Sequence, residues 1–167
     1  MNKFEKVSFD EFKKAMDQLG GYWDDDDIKH IYDHIKIPQR STKKAAGYDF
    51  FTPITFVLEP TQAVVIPTGI KCFLDDDKVL QIYPRSGLGF KKYAGLANTV
   101  GIIDADYVES DNEGHIMIKI RNNGYEVLDV SAGKAFAQGI ITQYFTVVND
   151  NETEKQSRNG GFGSTNV

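Results

Sequence analysis

Between residues 8 and 19 the apolar side chains fall at Phe9, Phe12, Ala15, Met16 and Leu19. That is the i, i+3, i+4, i+7 spacing of one helical face. Ser8 precedes the stripe and Glu11 stands three positions on, a capping-box arrangement, and Gly20-Gly21 supplies a stop. From Ile31 the pattern changes to short runs rich in Val, Ile, Phe and Tyr, broken by Gly, Pro, Asn and Asp. These runs predict strands at about 30–37, 48–51, 54–58, 62–66, 69–74, 78–83, 100–103, 115–121 and 139–148. Pro53, Pro60, Pro67 and Pro84 fall at the joints, where a missing N–H is tolerated. So many short strands with so little helix predict an all-β protein, either a closed barrel or a two-sheet jelly roll. The expected divisions are a helical extension over 1–30, the barrel over 31–148, and a polar, Gly-rich arm over 149–167 that is mobile until a ligand binds.

Composition narrows the partners. The 167 residues are 41% hydrophobic and 26% charged, as expected of a single soluble domain. No apolar run approaches the roughly 18 residues of a membrane span, and the start lacks the apolar stretch of a secretory signal. The single cysteine, Cys72, fits a small core residue in a reducing cytoplasm. A net charge of −5 disfavours gripping long nucleic acid. It leaves room for a small anion held where a few cations converge. The acidic run Asp24–Asp27 is expected to be a solvated loop. His30 and His34 stand four apart, but the neighbouring Ile31, Ile35 and Ile37 suit a strand better than a metal-binding helix.

The candidate chemistry lies between Pro84 and Tyr107. Arg85-Ser86-Gly87, following an apolar strand, offers a guanidinium, a hydroxyl and unobstructed N–H groups, which suit phosphates. Further on, Gly101-Ile-Ile-Asp104-Ala-Asp106-Tyr107 delivers a carboxylate and a ring three positions apart. A nucleoside polyphosphate with a poised water fits both.

Five segments stand in order: Ala46 to Phe50, Pro84 to Gly89, Gly101 to Tyr107, Gly133 to Gln138, and Arg158 to Thr165. From about Ile35 to the last residue the chain resembles the homotrimeric deoxyuridine triphosphatase (dUTPase) family. The resemblance implies hydrolysis of dUTP to dUMP and pyrophosphate with Mg²⁺, which limits uracil in DNA and supplies dUMP for thymidylate. It implies an all-β, jelly-roll-like β-barrel and a trimer whose subunits share the sites, in the cytoplasm (the host's, for a phage-encoded enzyme). Asp104 matches the base that polarises the attacking water, Asn98 helps hold that water or the ligand, and Tyr107 lies beneath the deoxyribose. Uracil is read by main-chain groups of a hairpin spanning about 98–117, near Ile103 and Met117. Arg85, Ser86, Gly87 and Gln138 match phosphate contacts. Asp49 matches an aspartate that reaches Mg²⁺ through water, though a turn aspartate is its other reading. In the arm, Phe162 stacks on uracil, while Arg158, Gly163, Ser164 and Thr165 close over the phosphates.

Four departures stand out. An acidic insertion at 108–114 lengthens the loop after Tyr107 and offers a surface for a protein partner. The arm is one residue short between Arg158 and Phe162, so Lys155 is a second candidate cation. The first 30 or so residues have no counterpart in the minimal family. The usual arginine-isoleucine pair before Gln138 is Ala135-Phe136. Two rival readings are a dCTP deaminase, which shares the fold but uses a glutamate and lacks the Phe-Gly-Ser-Thr lid, and a phage-borne regulator that binds a repressor.

Overall fold

Strand β9 (Met117–Asn122) shows how this chain builds its interior. Ile118, Ile120 and Asn122 are buried while Lys119 and Arg121 face outward, the period-two alternation of a strand with one face in the core. The structure, a computed structural model, describes residues 1–150. Before β9 come β1 (Lys3–Lys6), α1 (Phe9–Gln18), α2 (Asp25–Asp33), β2 (Tyr48–Phe51), β3 (Phe56–Leu58), β4 (Ala63–Pro67), β5 (Ile70–Phe73), β6 (Lys78–Pro84), α3 (Ser86–Lys92), β7 (Ala94–Leu96), β8 (Gly101–Ile103) and a 3₁₀ turn over Ala105–Glu109. After it come β10 (Leu128–Val130) and β11 (Ala135–Gln143).

All pairings are antiparallel. One sheet runs β2-β11-β6-β8 and a second β4-β9-β7, with the pairs β10-β3 and β1-β5 completing the wall. This is the jelly-roll-like architecture expected of the sequence. Phe50, Phe56, Ile66, Leu80, Ile82, Ile118, Ile120 and Phe136 meet in one core. The buried Asn122 ties its ends: its amide donates to the carbonyls of Leu58 (2.9 Å) and Glu126 (2.8 Å) and accepts from the Gly124 N–H (2.9 Å).

The N-terminal segment is built into this core. β1 pairs with β5 from Lys3↔Phe73 to Lys6↔Ile70, and Val7, Phe12, Met16 and Ile28 are buried among the barrel side chains. Helix α1 starts as its capping pattern predicts, with the Glu11 N–H donating to Ser8 Oγ at 3.1 Å. The segment 30–37 is not a strand. Ile28, Ile31, Tyr32 and Ile35 pack inward at helical spacing from α2 and the turn after it. The acidic run is accordingly the start of that helix and not a loop. Asp24 caps it, accepting from the Asp27 N–H at 2.8 Å, and Asp25–Asp27 sit where the helix dipole favours carboxylates. The rings of His30 and His34, both exposed, lie 4.3 Å apart. Among the described residues no three His, Cys, Asp or Glu side chains gather as metal ligands, and no helix is long and apolar enough to cross a membrane.

Gly69 is required where the N-terminal segment meets the barrel. Its φ is +69°, and a Cβ there would lie 2.3 Å from Ile35 Cδ1.

Candidate active site

Among the described residues β8 is the edge strand of its sheet, paired with β6 through Leu80↔Ile103, Gln81↔Ile102 and Ile82↔Gly101. An edge strand keeps one row of main-chain N–H and C=O groups outside the ladder. In the other sheet, the β7 ladder on β9 stops at Leu96↔Ile120, with one more bond from Ala97 N–H to the Lys119 carbonyl. The segment 98–117 is therefore not a two-stranded hairpin. Its β8 pairs in one sheet while the start of β9 belongs to the other, and residues of both line a cavity of about 910 Å³.

Asn98, Ile103, Asp104, Tyr107 and Met117 all line this cavity. Asp104 stands where β8 gives way to the 3₁₀ turn, its carbonyl accepting from the Tyr107 N–H at 3.1 Å. The turn swings Tyr107 back beneath the strand end, leaving it 5% exposed. Its hydroxyl donates to the His115 carbonyl at 3.0 Å and accepts from Asn112 Nδ2 at 2.9 Å. In a buried phenol so partnered, the hydrogen bonds offset the cost of leaving water.

A second group lies at the far end of β6. Arg85 Nη2 and Asp49 Oδ2 form an ion pair at 3.3 Å. Gln138 lies opposite both Asp49 and Tyr83 in the β11 ladders, and its Nε2 donates to the Pro84 carbonyl at 3.2 Å. Ser86 and Gly87 open α3, and both are exposed. Asp49, Arg85, Ser86, Gly87 and Gln138 are not among the cavity's lining. The predicted residues thus fall into a cavity group and a β6-end group. Arg158, Phe162, Gly163, Ser164, Thr165 and Lys155 lie outside the described residues.

Sequence reasoning missed the wall supplied by the N-terminus. Glu11, Lys14, Ala15 and Gln18 of α1 line the cavity, and their i, i+3, i+4, i+7 spacing was the available signal. It also missed His115, which is fully buried. Its Nε2 accepts from the Gly69 N–H at 2.9 Å, so Nδ1 carries the ring hydrogen, with Glu11 Oε1 3.6 Å away. Burial pushes the imidazole down to about 4 against a smaller opposing pull from Glu113. The Glu11 carboxyl is raised, mainly by its own burial. Glu113, in the insertion, receives Ser8 Oγ–H at 2.5 Å, the Ser8 N–H at 2.9 Å and Lys71 Nζ at 3.2 Å. Burial would raise its carboxyl, but these donors outweigh that and hold it below the ordinary value.

A jelly-roll-like barrel whose edge strand ends in a carboxylate and a buried tyrosine at a cavity, with Arg85 and the start of α3 offering a separate cationic and hydroxyl-bearing group, has the parts that a nucleotide-hydrolysing enzyme needs. Comparison with known proteins makes the class specific. The dUTPase family model matches residues 33–166. The deoxyuridine 5′-triphosphate nucleotidohydrolase of Lactococcus lactis subsp. lactis is 40% identical over 132 residues, 78% of this chain and 88% of that one. The crystal structure of the dUTPase from Streptococcus mutans superposes with a TM-score of 0.65 at 28% identity, covering 87% of this chain and 98% of that one. A variant dUTPase from phage phi11 of S. aureus, solved with a structural Mg(II) ion, superposes with a TM-score of 0.58 at 26% identity, covering 72% and 88%. The chain belongs to the dUTPase family and is an enzyme of the dUTP diphosphatase type.

Proposed function

We infer that the chain hydrolyses dUTP to dUMP and pyrophosphate with Asp104 as the general base. The observation that carries this reading is the convergence of Asn98, Asp104, Tyr107 and Met117 on one cavity. Asp104 accepts a proton from a water held with the help of Asn98, and the water oxygen bonds to the α-phosphorus. The bond from that phosphorus to the α–β bridging oxygen breaks, and its electrons leave with pyrophosphate. The uracil edge is read by main-chain groups of β8 and of β9 near Ile103 and Met117, which leaves no space for a 5-methyl group and mispairs with a 4-amino group. Tyr107, closed against C2′, excludes a ribose hydroxyl.

Arg85, Ser86, Gly87 and Gln138 receive the phosphates. Their separation from the cavity within one chain supports a site assembled between subunits of a homotrimer, the cavity from one and the β6-end group from its neighbour. Arg158, Phe162, Gly163, Ser164 and Thr165 close over the ligand, with Lys155 as the alternative cation. Mg²⁺ supplies charge neutralisation on the triphosphate oxygens. Asp49 is the carboxylate that suits a water-mediated contact to it: one side chain, already paired with Arg85, fits an outer-shell role and not a cage. The proposed divisions are an extension over 1–30, the barrel over 31–148 and the arm over 149–167. The exposed Glu109 and Asp111 are the part of the 108–114 insertion open to a protein partner.

Pyrophosphate release is measured with Mg²⁺ on dUTP, UTP, dTTP and dCTP. Turnover of dUTP alone is expected, and Asp104→Asn should lower kcat by about 10²–10⁴-fold with nucleotide binding retained. Full activity in Asp104→Asn, or ammonia from dCTP, overturns the assignment. Mixing inactive Asp104→Asn with inactive Arg85→Ala chains tests the shared site: activity returns only if the two groups act across subunits.

A further inference from the structure

The insertion after Tyr107 does more than lengthen a surface loop. At its centre Asn112 lines the cavity and donates from Nδ2 to the Tyr107 hydroxyl at 2.9 Å. The same nitrogen lies 3.4 Å from the His115 carbonyl, to which the Tyr107 hydroxyl itself donates. Asn112 is in turn fixed from the other side. Its Oδ1 accepts from the Gly114 N–H at 3.2 Å, and its carbonyl accepts from the His115 N–H at 2.9 Å. Gly114 makes this closure feasible. Its φ is +71°, and a Cβ there would lie 2.6 Å from Val108 Cα and 2.9 Å from the Tyr107 carbonyl oxygen.

We propose that Asn112 is a positioning residue for sugar discrimination, acting through the Tyr107 hydroxyl. The proposal rests on the reading of Tyr107 as the surface beneath the deoxyribose. A ring rejects a 2′-hydroxyl only while it cannot yield, and a few tenths of an ångström of recoil admits the extra oxygen. The turn over Ala105–Glu109 fixes the Cα end of Tyr107, and Asn112 with the His115 carbonyl fixes the far end. The amide adds a second restraint on the hydroxyl, so the ring cannot tilt without breaking a buried hydrogen bond. Glu113, one residue on, points the other way and fastens Ser8 at the start of α1. The two neighbours therefore have separable tasks.

The test is steady-state pyrophosphate release from dUTP and from UTP by the full-length protein and by Asn112→Ala, Asn112→Asp, Tyr107→Phe and the Asn112→Ala/Tyr107→Phe double variant. Losing this part-buried hydrogen bond is expected to cut the dUTP-over-UTP preference in kcat/KM about five- to tenfold in Asn112→Ala. The loss should come from a higher KM for dUTP and a gain on UTP, with kcat on dUTP within about twofold. In the Tyr107→Phe background the same substitution should change the preference less than about twofold, because the hydroxyl it acts through is gone. Asn112→Asp keeps the acceptor for Gly114 and removes the donor to Tyr107, and decides the matter should Asn112→Ala fail to fold. Glu113→Gln should lower thermal stability and leave the preference unchanged. An unaltered preference in both Asn112 variants, or equal effects with and without the Tyr107 hydroxyl, overturns the proposal while leaving dUTP hydrolysis intact. A wild-type enzyme that turns over dUTP and UTP alike overturns both.

Discussion

Acid should destabilise this protein through His115 in a way that can be measured residue by residue. In the folded chain Nε2 accepts the Gly69 N–H, so protonating it would set two donors against each other 2.9 Å apart. Burial opposes the charge as well and holds the group near 4, while an unfolded histidine titrates near 6.5. The sign follows from proton uptake. Between pH 6.5 and about 4 the unfolded chain binds a proton that the folded chain refuses, so stability is lost as pH falls through that window. At about 1.4 kcal/mol per pH unit the interval amounts to about 3 kcal/mol, the net of burial and the opposing pull of Glu113. His115→Gln keeps an acceptor for Gly69 and cannot titrate. Urea unfolding at fixed protein concentration from pH 7.5 to 4 should show the wild type losing about 3 kcal/mol more than the variant, most of it below pH 6.5. Parallel curves for the two proteins would refute the assignment of the acid sensitivity to this ring.

Other expectations follow from packing. Gly69→Ala combines a left-handed backbone with a Cβ 2.3 Å from Ile35 Cδ1, and should cost about 2–4 kcal/mol in denaturant unfolding. Asn122→Ala strands the Leu58 and Glu126 carbonyls and the Gly124 N–H, and should cost about 3 kcal/mol by the same measurement. Cys72 is buried, which pushes its thiol up to about 12. A thiol reagent at pH 8 should leave the folded protein unmodified and label it at once in denaturant.

Much of the barrel was legible because alternation survives in strands long enough to show it, as in Ile118-Lys119-Ile120-Arg121. Three-residue strands cannot show a period, and β7 (Ala-Gly-Leu) and β10 (Leu-Asp-Val) went unseen. β1, Lys-Phe-Glu-Lys, was hidden by its charges, since only its pairing with β5 makes it a strand. α2 was misread because Ile31, Ile35 and Ile37 were taken without Ile28, which completes the helical face. The Asp104 and Tyr107 chemistry could be read locally, from a carboxylate and a ring at fixed spacing. The partners of Tyr107 could not, because Asn112 and His115 act through a fold-back that depends on Gly114 and on burial. The capping box also changed hands: Glu11 stays beside His115, and the Ser8 N–H goes instead to Glu113, 105 positions away.

The family match begins at residue 33, yet the folding unit begins earlier. A gene trimmed to the matched stretch would encode a barrel whose β5 has lost the strand that covers its flank, and whose sockets for Phe12, Met16 and Ile28 stand open. Such a product would seek another chain's backbone to cover that flank and collect in inclusion bodies. The boundary drawn by resemblance and the boundary drawn by solubility are different lines in this protein.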